Sequence, residues 1–369
     1  MKIVFIIDVM RQGGGAQKVL SIMLPHLKEQ IELIVLKKTE NLLEINGIKT
    51  HYILDREDKA LLPNSFFILD KITQIAKDST LLVSFMDFIT GYYTALSAKI
   101  LRVPYYCFVR CEPSFVENSF AESKINHELY SLVLQGASKV VCNSKSSLKD
   151  VIENFGINKE RVELLYNPID TQNIDMLKNE ELGFAKKEGE IVCVSVGRLH
   201  AQKNYKTLLK AFKLLQDEDT RFHLYILGEG EQRGEIEDYI CKNNLKNITL
   251  CGFQKNIYVF LKNADIFIHG SLYEGFPNVV LEAAYLKKPL VLSDIATHTE
   301  LFSNQEAMFF NPANSLELVG LLKTLSECWV QEEFGTKAFC VIEKYLKTSF
   351  FQKLCEIFGT LGKPSYNEP

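Results

Sequence analysis

The sequence predicts an α/β protein built from two doubly wound domains, and three observations lead to this expectation. Short, apolar, β-branched runs recur along the chain and are separated by stretches with helical periodicity. These runs are apolar throughout instead of alternating with polar residues, as is typical of parallel strands covered on both faces. The pattern is interrupted once, at the turn-forming segment Asn167-Pro168-Ile169-Asp170, and then resumes.

Composition excludes several classes of protein. The 369 residues are 47% hydrophobic and 24% charged, which excludes disordered, collagen-like and coiled-coil chains. A net charge of −4 gives no electrostatic reason to expect nucleic acid as a partner. The first ten residues contain Asp8 and lack a signal-peptide cleavage site, and no apolar run reaches the roughly 18 to 20 residues that span a bilayer. We therefore expect a cytoplasmic protein, and its surface is compatible with peripheral contact at the cytoplasmic face of the inner membrane.

The first domain is predicted over residues 1–168. Its strands are expected at 3–7, 31–36, 50–54, 81–85, 105–109, 139–143 and 162–166. Its helices are expected near 15–29, 65–77, 89–101, 120–136 and 145–155. The aromatic segment 63–69 and the helix 89–101 would supply apolar surface for an interaction, and internal packing is the alternative.

The second domain is predicted over residues 169–340. Its strands are expected at 191–197, 222–228, 247–252, 265–270, 289–293 and 307–310. Its helices are expected near 204–216, 231–244, 255–262, 277–287 and 314–328. Residues 341–369 are predicted to form terminal helices that pack back on the first domain.

The first glycine-rich loop follows the first predicted strand. Gly13, Gly14 and Gly15 lead directly into a helix, where glycine lets the backbone approach a ligand and the helix N-terminus favours an anion. Lys18 stands where a dinucleotide fingerprint requires glycine, and the G-K-[ST] of a P-loop is missing. The loop therefore predicts close approach to phosphates, and a tight turn without a ligand is the alternative.

Two cations follow the first strand of the second domain. Gly197, Arg198 and Lys203 lie in the segment VGRLHAQKN, which leads into a helix. Arginine can chelate two oxygens and lysine adds a compact charge, so this combination suits a pyrophosphate. Solvated surface charges are the alternative interpretation.

Two carboxylates frame a third loop. Glu274 follows the strand 265–270, Pro277 is expected to be the first residue of a helix, and Glu282 lies further along that helix. Carboxylates accept hydrogen bonds from paired hydroxyls, and the amides between them can bind sugar or phosphate oxygens. The arrangement points to a polyol ligand.

Together, these segments resemble those of the retaining glycosyltransferases of family 4. The resemblance covers nearly the whole chain and rests on VGRLHAQKN, LGEGEQR, CGF, LYNPID and EGFPNVVLE, the last being the family's E-x7-E signature. It implies the GT-B architecture, in which two Rossmann-like domains face each other across a cleft. The N-terminal domain would then bind the acceptor and the C-terminal domain the sugar nucleotide.

The resemblance also implies roles for individual residues. Arg198, Lys203 and Glu274 would be catalytic, with the two cations neutralising the diphosphate of a UDP-sugar and Glu274 contacting its sugar. Glu282 would bind the ribose hydroxyls, and the other implied donor-binding residues are Gly14, Gly15, Gly197, Gly252, Phe253, Gly275, Phe276, Pro277 and Asn278. Arg110 and Glu112 follow a middle strand where the family often has a histidine, which makes them candidates for the acceptor side.

The family pattern implies front-face displacement with retention, without a metal and without a cofactor. Asp217-Glu218-Asp219 is a superficial D-x-D, but it precedes a strand and is predicted to be a solvated turn.

SVGRL, ILGEGE, NSKSSLKDVIENFGI and LYNPID are similar to bacterial enzymes that add N-acetylhexosamines to undecaprenyl-diphosphate-linked glycans in surface glycan or glycoprotein synthesis. This favours a UDP-N-acetylhexosamine donor, with N-acetylgalactosamine slightly ahead. Three alternatives stay open: a UDP-glucose or UDP-galactose hexosyltransferase for capsule or lipopolysaccharide, a non-hydrolysing UDP-sugar epimerase, and a non-catalytic sugar-nucleotide sensor.

Overall fold

A computed structural model describes residues 1–27, 30–118, 122–181 and 186–359. The chain divides into two compact units. The N-terminal unit comprises Met1–Pro168 and the segment from Lys347 onward, and the C-terminal unit comprises Ile169–Leu346. The last part of the predicted terminal segment, 360–369, lies outside the described residues.

In the described residues, the N-terminal unit contains one parallel sheet of seven strands: β1 (Lys2–Val9), β2 (Gln30–Lys37), β3 (Lys49–Leu54), β4 (Leu81–Ser84), β5 (Tyr105–Val109), β6 (Lys139–Cys142) and β7 (Val162–Leu164). The strand order is β3-β2-β1-β4-β5-β6-β7. The α-helices described within residues 1–168 are α1 (Gly15–Met23), α2 (Ser65–Ile75), α3 (Ile89–Leu101), α4 (Pro113–Glu117), α5 (Ser123–Gly136) and α6 (Lys145–Glu153).

The C-terminal unit contains a second parallel sheet, with six strands in the part of the chain that is described: β8 (Ile191–Val196), β9 (Phe222–Leu227), β10 (Ile248–Gly252), β11 (Ile266–His269), β12 (Leu290–Ser293) and β13 (Met308–Phe310). Their order is β10-β9-β8-β11-β12-β13. The helices are α7 (Thr171–Leu177), α8 (Tyr205–Glu218), α9 (Arg233–Lys242), α10 (Tyr258–Asn263), α11 (Asn278–Tyr285), α12 (Ala296–Leu301), α13 (Ser315–Thr324) and α14 (Cys328–Val341), and α15 (Lys347–Phe358) returns to the N-terminal unit.

Burial of both sheet faces explains the continuous apolar strands. On β1, Phe5 and Val4 are both fully buried, yet they belong to different layers of the core. Phe5 packs in the layer that also holds α1 and α15, whereas Val4 packs in the layer of α2, α3 and α5. Because side chains alternate across a strand, a sheet covered on both sides needs apolar residues at every position.

The terminal helix α15 completes one of these layers. Phe350, Phe351, Leu354, Ile357 and Phe358 are buried on one face of the helix, and the Phe358 ring centroid lies 6.1 Å from that of Phe5. Residues at this helical spacing share a face, so α15 presents a continuous apolar stripe to the sheet.

Each strand predicted from the sequence is present within about two residues at its ends, which confirms the expected fold class. The short helices α4, α7 and α12 were not predicted, because five to seven residues are too few to establish a helical period. Several boundaries also differ. The predicted helix 314–328 is divided, because α13 ends at Thr324 and α14 begins at Cys328, and most of α14 was not predicted. The first helix ends at Met23, before the turn that contains Pro25, and the C-terminal unit continues past 340 to Leu346 because Ile342 and Tyr345 are buried within it.

Candidate functional site

The loop between β8 and α8 is tied to the end of β11. Asn204 takes a left-handed conformation with φ of 52° at the start of α8. Its side-chain amide donates hydrogen bonds to the carbonyl oxygens of Gly270 (3.1 Å) and Pro312 (2.8 Å). Since β8 and β11 are neighbours in the sheet, their carboxyl ends place the two loops side by side.

Glycines let these loops approach closely. Gly228 has a φ of 143°, and a Cβ built on it would lie 1.9 Å from the carbonyl oxygen of Gly197, so no other residue fits. A Cβ on Gly197 would lie 3.2 Å from Cε of Lys203. The glycine at 197 therefore makes room for the aliphatic chain of Lys203, a packing role that the sequence alone does not indicate.

Lys203 and Glu274 form a buried ion pair at this edge of the sheet. The Lys203 ammonium donates to Oε1 of Glu274, and their side chains are 18% and 8% exposed. The same carboxylate oxygen lies 2.9 Å from Nε2 of His269 and accepts a hydrogen bond of 2.5 Å from Ser271 Oγ. In the described part of the chain, these three groups all contact the same oxygen, Oε1.

The surroundings keep Glu274 ionised. Burial alone would raise the pKa of its carboxyl group, but the charge of Lys203 and the hydrogen bond from His269 hold it well below the usual value. Burial and the nearby ammonium of Lys203 lower the pKa of His269, which is therefore neutral near pH 7. A neutral imidazole beside a carboxylate carries its proton on the facing nitrogen, so Nε2 of His269 donates to Glu274.

A second layer of polar groups supports this cluster. Ser293 Oγ donates to the carbonyl oxygen of Ser271 at 2.5 Å, and Nδ1 of His298 donates to the carbonyl oxygen of Ser293 at 2.8 Å. Burial and the neighbouring His269 lower the pKa of His298 to about 3. Sequence reasoning missed His269, Ser271, Ser293 and His298. The first two could have been found, since they are polar residues at the end of a buried strand just before Glu274.

Arg198 lies in a different electrostatic environment. Its guanidinium pairs with Glu231 at 3.2 Å, and the two side chains are 58% and 50% exposed. Nε2 of His200 lies 3.3 Å from the other oxygen of Glu231. An exposed pair of this kind contributes little to stability, so a bound anion can compete with Glu231 for Arg198.

The loop before α11 places the remaining carboxylate. The helix begins at Asn278 and Pro277 is its N-cap, one residue later than the sequence predicted. Glu282 is 5% exposed on this helix. Phe276 is also buried, with its ring 5.9 Å from that of Tyr345, and Gly275 precedes it on the same loop.

Four predicted donor-binding residues lie elsewhere. Gly252 ends β10 with a φ of 68°, and Phe253 after it is 50% exposed. In the N-terminal unit, Gly14 is the N-cap of α1 and Gly15 its first residue. A Cβ on Gly14 would lie 2.0 Å from Oε1 of Gln17, so a larger residue here would require the end of the Gln17 side chain to move.

The acceptor-side candidates also lie in the N-terminal unit. Arg110 follows β5, and its guanidinium donates to Oδ1 of Asn167 at 2.9 Å. Glu112 is the N-cap of α4, and its carboxylate accepts a hydrogen bond of 2.5 Å from Ser146 Oγ.

The superficial D-x-D segment lies at the opposite edge of the C-terminal sheet, before β9. Asp219 pairs with Arg221 at 2.7 Å, and Glu218 pairs with Lys323. Among the residues that the structure describes, no group of three or more His, Cys, Asp or Glu side chains could hold a metal ion.

Comparison with solved structures defines the fold. The crystal structure of Anabaena Alr3699/HepE in complex with UDP-glucose superposes with a TM-score of 0.82 at 21% identity, covering 97% of this chain and 99% of the other. The lipopolysaccharide outer core galactosyltransferase WaaB superposes with a TM-score of 0.70 at 18% identity over 97% and 99% of the two chains. The two parallel sheets thus have the GT-B architecture.

Sequence comparisons then identify the family. Residues 178–338 match the model "Glycosyl transferases group 1", and residues 13–173 match "Glycosyltransferase Family 4". The chain therefore belongs to the GT-B glycosyltransferases of the family 4 type. A Campylobacter jejuni relative named N-acetylgalactosamine-N,N'-diacetylbacillosaminyl-diphospho-undecaprenol 4-alpha-N-acetylgalactosaminyltransferase is 29% identical over 85% of this chain and 87% of its own. An Escherichia coli relative named UDP-Gal:alpha-D-GlcNAc-diphosphoundecaprenol alpha-1,3-galactosyltransferase is 26% identical over 62% and 61%.

Proposed function

We propose that this glycosyltransferase moves an N-acetylhexosamine, with N-acetylgalactosamine favoured, from a UDP-sugar to a glycan linked to undecaprenyl diphosphate. The reaction retains the anomeric configuration and requires neither a metal nor a cofactor. The observation that carries the proposal is the buried Lys203–Glu274 pair at the carboxyl edge of β8 and β11. The name of the Campylobacter jejuni relative supports the sugar and the acceptor, and the UDP-glucose complex of HepE supports a UDP-linked donor.

The residues of the pair have distinct roles in this mechanism. An ammonium has three N–H donors, so Lys203 can bond both Glu274 and a diphosphate oxygen as negative charge develops on the leaving group. Glu274 holds Lys203 in place and offers Oε2 to a hydroxyl of the donor sugar. The leaving phosphate takes the proton of the acceptor hydroxyl as the new glycosidic bond forms on the same face of the sugar.

A second candidate is a hexosyltransferase that uses UDP-galactose. The name of the Escherichia coli relative, a galactosyltransferase that acts on a diphosphoundecaprenol acceptor, favours it. Both candidates use the same Lys203–Glu274 chemistry and differ in the substituent at C2 of the transferred sugar.

An assay with purified protein tests this proposal. UDP-GalNAc, UDP-GlcNAc, UDP-galactose and UDP-glucose are each offered with undecaprenyl-diphosphate-linked glycans extracted from bacterial membranes. We expect the fastest transfer from UDP-GalNAc, an α-linked product by NMR, and an unchanged rate in excess EDTA. Faster transfer from UDP-galactose would establish the second candidate. Epimerisation of a UDP-sugar without acceptor would reject transferase function, and a loss of rate in EDTA that metal restores would reject the metal-free mechanism.

We further propose that the outer surface of α2, α3 and α5 binds the membrane that carries the acceptor. No helix in the described residues is long and apolar enough to span a bilayer. The three helices are neighbours, and Phe66, Ile100 and Leu132 on them are 91%, 62% and 65% exposed. α3 contains no acidic residue and carries an exposed Lys99, a combination that suits the anionic headgroups of a lipid surface.

Flotation with vesicles of phosphatidylglycerol and phosphatidylethanolamine tests this surface. Phe66→Ser is expected to reduce the vesicle-bound fraction severalfold, because it removes an aromatic anchor. The matched control is Leu316→Ser, which changes a residue that is 69% exposed on α13 of the C-terminal unit and should bind as the unmodified protein does. Equal binding by both variants would show that this face does not contact the membrane.

A further inference from the structure

A cluster of polar side chains lies at the carboxyl edge of the N-terminal sheet, outside the donor-binding cluster. Arg110 follows β5, and its backbone carbonyl accepts a hydrogen bond of 3.3 Å from Asn143, which follows β6. Its guanidinium donates to Asn167, which follows β7, and lies 4.9 Å above the ring of Phe85 at the end of β4. Groups from four adjacent strands therefore hold this one cation at the edge where open α/β sheets bind ligands.

The nearby carboxylate of Asp87 does not form an ion pair with this guanidinium. Oδ2 of Asp87 accepts hydrogen bonds from the backbone N–H of Arg110 (2.9 Å) and from Sγ of Cys111 (3.4 Å). Oδ1 accepts a hydrogen bond of 3.0 Å from the hydroxyl of Tyr130. Asp87 thus fixes the backbone at Arg110, and burial raises the pKa of its carboxyl group to about 6.

The guanidinium forms no ion pair within the described part of the chain, and Asp87 is the carboxylate whose charge acts on it from nearby. Nε of Arg110 is buried and has no hydrogen-bond partner among the described residues, and none of their carboxylates pairs with the guanidinium. Burial lowers the pKa of Arg110 to about 10, and the group stays charged near pH 7. Keeping a partly buried cation without a paired anion costs free energy. The planar guanidinium presents several N–H donors in a geometry that matches the oxygens of a phosphate.

We propose that Arg110 binds a diphosphate group of a substrate, and that this group belongs to the diphosphate-linked acceptor. The choice of the acceptor rests on the proposed function. Arg110 lies on the sheet of the N-terminal unit, whereas Lys203 and Glu274, which that function assigns to the donor, lie on the other sheet. The diphosphate of the UDP-sugar is the other source of the same chemistry, and the test separates the two.

Steady-state kinetics of Arg110→Gln provide the first test. With the diphosphate-linked acceptor, we expect its KM to rise at least tenfold while kcat changes less than threefold. With the same glycan as a methyl glycoside, which has no diphosphate, and with the UDP-sugar, we expect unchanged KM values. A raised KM for the UDP-sugar instead would assign Arg110 to the donor, and unchanged values throughout would overturn the proposal.

Two further variants control for folding. Arg161→Gln replaces an arginine that precedes β7, at the opposite edge of the same sheet, and donates to the carbonyl oxygens of Gln135 and Ala137. We expect it to leave all KM values unchanged. Arg110→Lys keeps the charge but loses the planar donors, and an acceptor KM between those of the unmodified protein and Arg110→Gln would tie the effect to anion binding.

Calorimetric titration with inorganic pyrophosphate is independent of turnover. In a Lys203→Ala background, which removes the donor-side ammonium, we expect Arg110→Gln to weaken pyrophosphate binding at least tenfold. If the protein transfers no sugar but shows this Arg110-dependent binding, the proposed function fails and the anion site stands. If the protein transfers sugar but Arg110 affects neither pyrophosphate binding nor any KM, the anion site fails and the proposed function stands.

Discussion

Lys203→Ala is expected to lower kcat/KM about a hundredfold or more, because the proposed function assigns to Lys203 the stabilisation of charge that develops on the diphosphate. The loss of one such preorganised donor in an active site costs about 3–4 kcal/mol in the transition state. The measurement is the steady-state rate with the best UDP-sugar and saturating acceptor. Circular dichroism at the assay temperature establishes that the variant is folded.

The matched control for this experiment is Lys206→Ala. Lys206 lies on α8 three residues further along the chain and is exposed. Its removal changes the net charge by the same amount, yet we expect a rate within twofold of the unmodified protein. A Lys203→Ala variant that is folded and turns over at the normal rate would contradict the assignment of the site.

Glu274→Gln is expected to lower the free energy of unfolding by about 3 kcal/mol, because it leaves the largely buried charge of Lys203 without its counter-ion. The pKa of Glu274 in the folded protein lies below its ordinary value of 4.5, so its contribution to stability is present above that pH and is lost as the pH falls. The difference in the free energy of unfolding between Glu274→Gln and the unmodified protein should therefore be largest near pH 7. It should shrink progressively below about pH 4.5. Urea unfolding at a series of pH values measures it.

Glu231→Gln is the control for burial. Glu231 also pairs with a cation, Arg198, but both side chains are about half exposed. Exposed pairs contribute at most about 1 kcal/mol, so this variant should unfold close to the unmodified protein. Equal destabilisation by the two substitutions would mean that the Lys203–Glu274 pair is no more important to stability than a surface pair.

Two of the candidate anion-binding cations, Lys203 and Arg110, differ in how their charge is compensated. Lys203 is held by Glu274, with His269 and Ser271 bonded to the same oxygen, so that the pair is stable without a ligand. The Arg110 guanidinium contacts a neutral amide and an aromatic ring, and the nearby carboxylate of Asp87 bonds the backbone N–H of Arg110 instead of pairing with its side chain. A ligand phosphate would therefore add to an existing ion pair at Lys203, whereas at Arg110 it would form an ion pair that the described residues do not supply.

Much of the fold could be predicted from the sequence because each sheet is covered on both faces. That arrangement requires apolar residues at successive strand positions, and the requirement is visible in segments such as Ile3–Ile7 and Ile191–Val196. The short helices α4, α7 and α12 left no comparable periodic signal. The extension of the C-terminal unit to Leu346 depends on burial of Ile342 and Tyr345, which requires knowledge of what surrounds them.

The sequence by itself determined the two parallel α/β sheets, the family, the loops in which Arg198, Lys203 and Glu274 lie, and the helix that carries Glu282. Only the tertiary structure decided which charges meet. Lys203 and Glu274 are 71 positions apart and come together because β11 lies beside β8, whereas the strand that follows β8 in the chain lies on its other side. The order of strands in the sheet decides which buried charges become partners. That order results from packing of the whole chain, so a local sequence pattern does not predict it.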